Sequence, residues 1–249
     1  MTRVFARVLV IVPAHNEEAS LGRTLAELLA GAPRAGVPAG PTRRPYRLDA
    51  LVVDDGSRDG TARVAREAGV RVVRHPINLG VGGALQTGFR YATERGYDIG
   101  VQLDADGQHD PAYLDALIEP VLRGECDVSI GSRFVARSGY RAPLARRFGM
   151  RLFAGVVQAA LGQRISDTTS GFRAYGRAVM ATCQFDFPRD FPDAPLLIVL
   201  SRRGFRLREV PVVMRERRAG QSFYTLGKSL YYPYKNLLAS LMAWLQRPA

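Results

Sequence analysis

The stretch VQLDADGQHDP, Val101 to Pro111, decides how this chain is built. An apolar run that begins at Ile99 stops abruptly at Asp104, and Asp106 and Asp110 follow before Pro111. An aspartate directly before a proline is a strong helix start, the carboxylate capping the first turn and the proline occupying a position that needs no N–H. The stretch therefore reads as strand, acidic loop, helix. Working outward, the same order recurs. Strands are expected at Val8 to Val12, Leu51 to Val53, Val70 to Val73, Ile99 to Leu103 and Val128 to Ile130, with helices starting near Glu17, Thr61, Gly83 and Pro111. This alternation predicts an α/β class with a mostly parallel sheet flanked by helices.

The remainder is less regular. Gly31 to Arg47, rich in Gly, Pro and Arg, reads as a long mobile loop. Arginines thicken from Phe134 to Arg151, a helix is expected over Arg151 to Gly162 and another over Pro195 to Arg203, and a strand around Leu207 to Val213. The C-terminal TLGKSLYYPYKNLLASLMAWLQ reads as one or two amphipathic helices broken at Pro233. Its interleaved aromatic and basic residues suit either a membrane interface or packing against the core. We expect residues 1–222 to form the main domain and 223–249 an amphipathic appendage.

The chain has 249 residues, 47% of them hydrophobic, enough for a full core, and a formal charge of +12. Only Lys228 and Lys235 are lysines, so the positive charge is almost wholly arginine. An anionic partner is one reading of that balance and ordinary solvated faces are the other. Cys126 and Cys183 are too few for a disulfide framework or a zinc knuckle, and read as reduced, buried thiols of a cytosolic protein. The apolar start is cut short by Pro13 and HNEE, unlike a signal peptide, and Leu237 to Leu245 is too short to span a bilayer.

In a parallel sheet the ligand site lies beyond the carboxyl ends of the strands. Four such ends carry polar clusters: PAHNEE (Pro13 to Glu18), DDGSRDGT (Asp54 to Thr61), RHPINLGVGGA (Arg74 to Ala84) and DADGQHD (Asp104 to Asp110). Asp104 and Asp106, one residue apart, suit a hard divalent cation, with Gln108 as a third oxygen; an Asx-turn with Asp110 as helix cap needs no metal. Asp54 and Asp55 offer carboxylates to ring N–H groups or ribose hydroxyls. NLGVGGA provides a glycine-rich helix start where backbone can approach a phosphate, although the dinucleotide glycine spacing and the Walker lysine are absent. His109 reads equally as a turn residue or a ligand, and His75, beside Pro76 after a strand, as a structural residue ahead of one facing a nucleotide.

Taken in order, VPAHNEE, VVDDGSRDGT, NLGVGGALQTGF, LDADGQHDP, GSRF and DTTSGFRAYGR resemble the inverting glycosyltransferases of family 2, and within it the dolichol-phosphate mannose synthase and polyprenyl-phosphate glycosyltransferase branch. The resemblance covers about residues 8–220. It implies a GT-A, Rossmann-like fold, a GDP- or UDP-sugar donor, a polyprenyl phosphate acceptor, and Mg²⁺ or Mn²⁺. Carried over, Pro13, His15, Glu17, Asp54 and Asp55 line the nucleoside pocket, and Asp104, Asp106 and Gln108 hold the metal and diphosphate. Arg133, Arg147 and Arg151 match positions that grip the acceptor phosphate. RERRAGQS, Arg215 to Ser222, resembles the loop that closes on the donor, with Arg218 as its arginine and Ser222 beside it; the family commonly has Ser-Lys there, whereas Phe223 follows Ser222. The implied catalytic set is Asp106, Arg133 and Arg218.

A polyprenyl phosphate is already an anion and requires no general base, only positioning and charge neutralisation. A saccharide hydroxyl acceptor would require one, with Asp190 or Asp193 available. The resemblance further implies a peripheral enzyme on the cytosolic face of a membrane, docked directly or through a small membrane protein. No recognition helix, zinc finger or RNP pattern supports nucleic-acid binding, and a nucleotidyltransferase lacks its glycine-rich Arg/Lys signature at the first strand.

Overall fold

Seven strands form one sheet in the order β3-β2-β1-β4-β6-β5-β7. The computed structural model describes residues 5–31, 46–135, 165–185 and 193–215, with isolated positions at 158, 162, 187 and 238–242. The strands are β1 (Ala6–Ala14), β2 (Tyr46–Asp54), β3 (Arg71–Arg74), β4 (Ile99–Gln102), β5 (Val128–Ser132), β6 (Arg173–Gly176) and β7 (Leu207–Pro211). Strands β1 to β4 run parallel, β6 lies antiparallel between β4 and β5, and β7 is parallel to β5.

Val8 to Val12 is a continuous apolar run because both faces of β1 are covered. Leu9 and Ile11 pack on α3 (Gly80–Glu94), α5 (Arg177–Cys183) and α6 (Ala194–Arg202). Val8, Val10 and Val12 pack on α1 (Glu18–Ala30), α2 (Thr61–Glu67) and α4 (Leu114–Leu122). The expected cap before Pro111 is present: Asp110 Oδ1 accepts from the Ala112 N–H at 3.0 Å, and a 3-10 turn, Pro111–Tyr113, leads into α4.

Four elements differ from the sequence expectation, the first being helix α5, Arg177–Cys183, which was not expected. Strand β2 begins five residues early, because its polar half pairs with Ala6 to Val10 although it buries little. Helix α3 begins at Gly80 rather than Gly83. Strand β6 was not anticipated at all: its four residues include an arginine, Arg173, that is only 1% exposed. The arginine-rich segment after Phe134, the helix expected over Arg151 to Gly162 and the 223–249 appendage fall almost wholly outside the described residues, as do Arg147, Arg151, Arg218, Ser222 and Asp190. No helix among the described residues is long and apolar enough to cross a membrane.

Candidate active site

Register places the strand ends side by side, with Ala14 opposite Asp54, Asp54 opposite Arg74, and Ile11 opposite Gln102. The loops after β1 and β2 are sewn together. Asn16, in the left-handed region at φ 55°, donates its N–H to Ser57 Oγ (2.9 Å) and accepts the Arg58 N–H on Oδ1 (2.8 Å). Its amide also donates to His15 Nε2 (3.1 Å), which leaves His15 Nδ1–H for the Asp55 carbonyl at 2.8 Å. Pro13 is half-buried in β1, and Glu17 sits at the α1 cap position with its carboxylate accepting from Ser20 Oγ (2.5 Å). Gly56 has φ +69°, and a Cβ there would stand 2.7 Å from the backbone of Ile77 and Asn78, so the β2 loop can meet the β3 loop only as glycine.

Asp59 in the same loop titrates abnormally. Burial raises its pKa, but the Thr61 hydroxyl and the N–H groups of Thr61 and Glu18 outweigh burial and hold it below the usual carboxylate range. A depressed folded value means that the stabilisation is fully present above the unfolded carboxylate value, about 3.9, and is lost as pH falls through the lower folded one. Replacing Asp59 with Asn is therefore expected to lower the melting temperature at neutral pH and to flatten its acid limb below about pH 4, as thermal unfolding from pH 2 to 7 would show.

Adjacent aspartates take opposite parts. Asp55 is buried and wholly engaged: Oδ1 accepts from His75 Nδ1 (2.7 Å) and Leu79 N–H (2.8 Å), and Oδ2 from Gly80 N–H (2.8 Å). It thus supplies the anion at the N-terminus of α3, where the sequence suggested a phosphate approach, and its carboxylate faces the protein's own backbone. His75 passes the contact on through Nε2 to Thr87 Oγ1 at 2.9 Å. Asp54 is fully buried, with Oδ1 accepting from Ser57 N–H (3.0 Å). Its Oδ2 lies 3.1 Å from Arg74 Nε but makes no hydrogen bond. Arg74, half-exposed, lines a cleft of about 830 Å³ together with His15, Asn16, Ser57 and Ile77.

The acidic loop follows β4 on the same edge. Asp104 is 36% exposed; Oδ1 accepts from Gln102 Nε2 (3.2 Å) and Oδ2 lies 3.6 Å from His109 Nε2. The Asp104 N–H donates to His109 Nδ1 (3.0 Å), and the His109 ring stacks on Phe172 with centroids 4.8 Å apart. Asp106 is half-buried and closes the Asx-turn, Oδ1 accepting from the Gln108 N–H at 3.0 Å. Arg215 clamps the far side: its N–H donates to the Gln108 carbonyl (2.9 Å), and its guanidinium reaches Asp110 (Nη2 to Oδ2, 2.7 Å) and Glu27. Among the described residues no group of three or more His, Cys, Asp and Glu side chains is placed to hold a metal. Two partly exposed carboxylates with Gln108 alongside suit a hard cation that draws its remaining oxygens from a diphosphate.

The family 2 profile, described as Glycosyl transferase family 2, matches residues 9–183, more than half of the chain. The chain belongs to glycosyltransferase family 2. It is 35% identical over 227 residues to the undecaprenyl-phosphate mannosyltransferase of Micrococcus luteus, covering 87% of this chain and 86% of that protein. It is 34% identical to the polyprenol monophosphomannose synthase of Mycolicibacterium smegmatis, covering 87% and 80%. Among solved structures, glucosyl-3-phosphoglycerate synthase from Mycobacterium tuberculosis, in complex with Mn²⁺, UDP-glucose and phosphoglyceric acid, superposes with a TM-score of 0.67 at 21% identity over 96% of this chain and 80% of that one. That likeness establishes the GT-A fold of this family 2 enzyme.

Within this glycosyltransferase, Arg133 of GSRF is already engaged. Its Nε and Nη2 form a two-pronged pair with the fully buried Asp167 (2.8 and 2.7 Å), and Nη2 also reaches Thr169 Oγ1 at 2.8 Å. Glu209 of β7 holds the same loop, accepting from the Asp167 N–H (2.8 Å) and from Ser166. Sequence reading overlooked Arg74, Asn16, Asp167, Arg215 and Gln102. Asn16, Arg74, Asp167 and Arg215 all lie in segments the sequence singles out but were given no individual role, and Gln102 is a polar residue at the end of an apolar strand. Cys126 and Cys183 are free and buried, and burial pushes the Cys126 thiol up to about 11.

Proposed function

We propose that this enzyme transfers a hexose of mannose or glucose type from a GDP- or UDP-sugar to a polyprenyl phosphate, with inversion at the anomeric carbon. The observation that carries the donor half is the polar cleft of about 830 Å³ at the strand ends, where half-exposed Arg74, ion-paired with the buried Asp54 at 3.1 Å, lies beside His15 and Asn16. A guanidinium and a side-chain amide lining a cleft suit the anionic and hydrogen-bonding groups of a nucleotide. Asp104, Asp106 and Gln108 would hold Mg²⁺ or Mn²⁺. When bound, the ion neutralises charge on the departing diphosphate.

The acceptor half is supported by the two relatives at 34–35% identity, both named for polyprenyl carriers. A phosphate monoester attacks without losing a proton, so this chain has only to position it and offset its charge. Arg147 and Arg151 are assigned to that phosphate and Arg218 with Ser222 to the donor diphosphate. Arg133 shapes the phosphate subsite through Asp167. The lipid acceptor places the reaction at the cytosolic face of a membrane, reached by residues 223–249 or through a small membrane protein.

Radiolabelled GDP-mannose and UDP-glucose, each offered with polyprenyl phosphate or with soluble saccharides, test the reading. Label is expected to enter the organic phase with polyprenyl phosphate. Label found only on water-soluble saccharide would overturn the acceptor assignment in favour of polysaccharide synthesis.

A further inference from the structure

Gln102 closes β4 with its side chain 6% exposed, and an amide buried at that depth is tolerated only when both of its ends are hydrogen-bonded. Here both are: Nε2 donates to Asp104 Oδ1 at 3.2 Å, and Oε1 accepts from the Tyr175 hydroxyl at 3.5 Å. Arg173, the register partner of Gln102 across β4 and β6, lies two residues before Tyr175 on the same strand and donates from Nη2 to the Thr168 and Asp193 carbonyls at 3.1 and 3.2 Å. The direction of the hydrogen-bond chain is set at Asp104. An ionised carboxylate only accepts, so the Gln102 NH₂ faces Asp104 and its Oε1 is left to accept from the Tyr175 hydroxyl. Burial pushes the Tyr175 hydroxyl up to about 12, so it keeps that proton at any working pH.

The pair is also walled in. A Cβ on Gly171 would stand 2.7 Å from Gln102 Nε2 and 3.3 Å from Asp104 Oδ2, so the backbone of the loop before β6 lies directly against the amide and the carboxylate. Across from it, His109 approaches Asp104 Oδ2. Asp104 is therefore a partly exposed carboxylate whose orientation is imposed from the protein interior.

We propose that Gln102 is the positioning residue of the acidic loop, oriented by Tyr175 and in turn holding Asp104 in the rotamer that accepts a divalent cation. This rests on the assignment of Asp104 and Asp106 to a cation. Groups that orient a metal ligand typically matter about 10- to 100-fold in metal affinity.

The test is Mn²⁺ affinity, read from the electron paramagnetic resonance signal of free Mn²⁺, with saturating UDP and separately with GDP, and thermal unfolding in parallel. Gln102→Leu is expected to bind Mn²⁺ about tenfold more weakly. Tyr175→Phe is expected to weaken it by a smaller factor, and adding it to Gln102→Leu to cause no further loss, since the tyrosine acts through the glutamine. A role in packing alone would lower the melting temperature and leave Mn²⁺ affinity unmoved. Folded Gln102→Leu binding Mn²⁺ as tightly as the wild type overturns the inference, as does full additivity of the two changes. Should Gln102→Leu not fold, Tyr175→Phe decides: it keeps the ring edge-on to Phe89 at 5.0 Å, and unchanged affinity in it is equally fatal. A wild-type enzyme that takes up no Mn²⁺ with either nucleotide overturns the cation assignment itself, a different result from loss of the Gln102 effect alone.

Discussion

Replacing both Asp104 and Asp106 with alanine is expected to lower the transfer rate by about a thousandfold or more while leaving the fold intact. The fold survives because neither side chain belongs to the core. Asp104 is 36% exposed and Asp106 half-buried, and their hydrogen bonds are local ones to Gln102 and to the turn at Gln108. Removing two carboxylates set one residue apart also relieves like-charge repulsion. Activity is lost because the cation proposed for this loop would have no carboxylate left to hold it. A pyrophosphoryl leaving group would then depart without charge neutralisation. Initial rates across a Mn²⁺ series, with circular dichroism melting of the same preparations, measure both halves. A folded double variant that keeps the wild-type rate in chelator would remove the metal from the mechanism.

Arg133→Ala is expected to act first on stability, by about 3 kcal/mol, or roughly 6–12 °C in melting temperature for a chain of this size. Asp167 is fully buried and its carboxylate takes two guanidinium N–H bonds from Arg133. Removing the arginine strands that charge, and a buried charge that has lost its partner is far more costly than an exposed one. The backbone N–H of Arg133, which also donates to Asp167 (3.0 Å), survives the change and limits the damage. Adding Asp167→Asn to Arg133→Ala should restore most of the lost stability, since the amide carries no charge to strand. Any transfer activity still missing from the stabilised double variant measures what Arg133 contributes to substrate. If Arg133→Ala melts within a degree of the wild type, the structural part assigned to this pair is wrong.

These two cases differ in how far they could be read from residue order. The acidic loop was readable because its cues are local: an apolar strand, a sudden run of carboxylates, and an aspartate–proline helix start, which the Asp110 cap then displays. The Arg133–Asp167 pair joins residues 34 apart in sequence, beyond the reach of any local pattern. The β6 strand went unread for a related reason. Its arginine looks like a surface residue until neighbours on both sides, Gln102 in β4 and Ile130 in β5, enclose it.

Asp54 and Asp55 show the division at its sharpest. Residue order by itself determined that this chain is an α/β protein with acidic and polar clusters at its strand ends, because hydrophobic period, caps and turn residues act over a few positions. Which donors each aspartate meets was decided only in three dimensions. The start of α3, some 25 residues on, draws the Asp55 carboxylate inward by its exposed N–H groups, and Asp54 pairs with Arg74 at the cleft. A carboxylate's partner is set by whatever donor the packed chain brings within about 3 Å, and for these groups that donor comes from a distant part of the sequence.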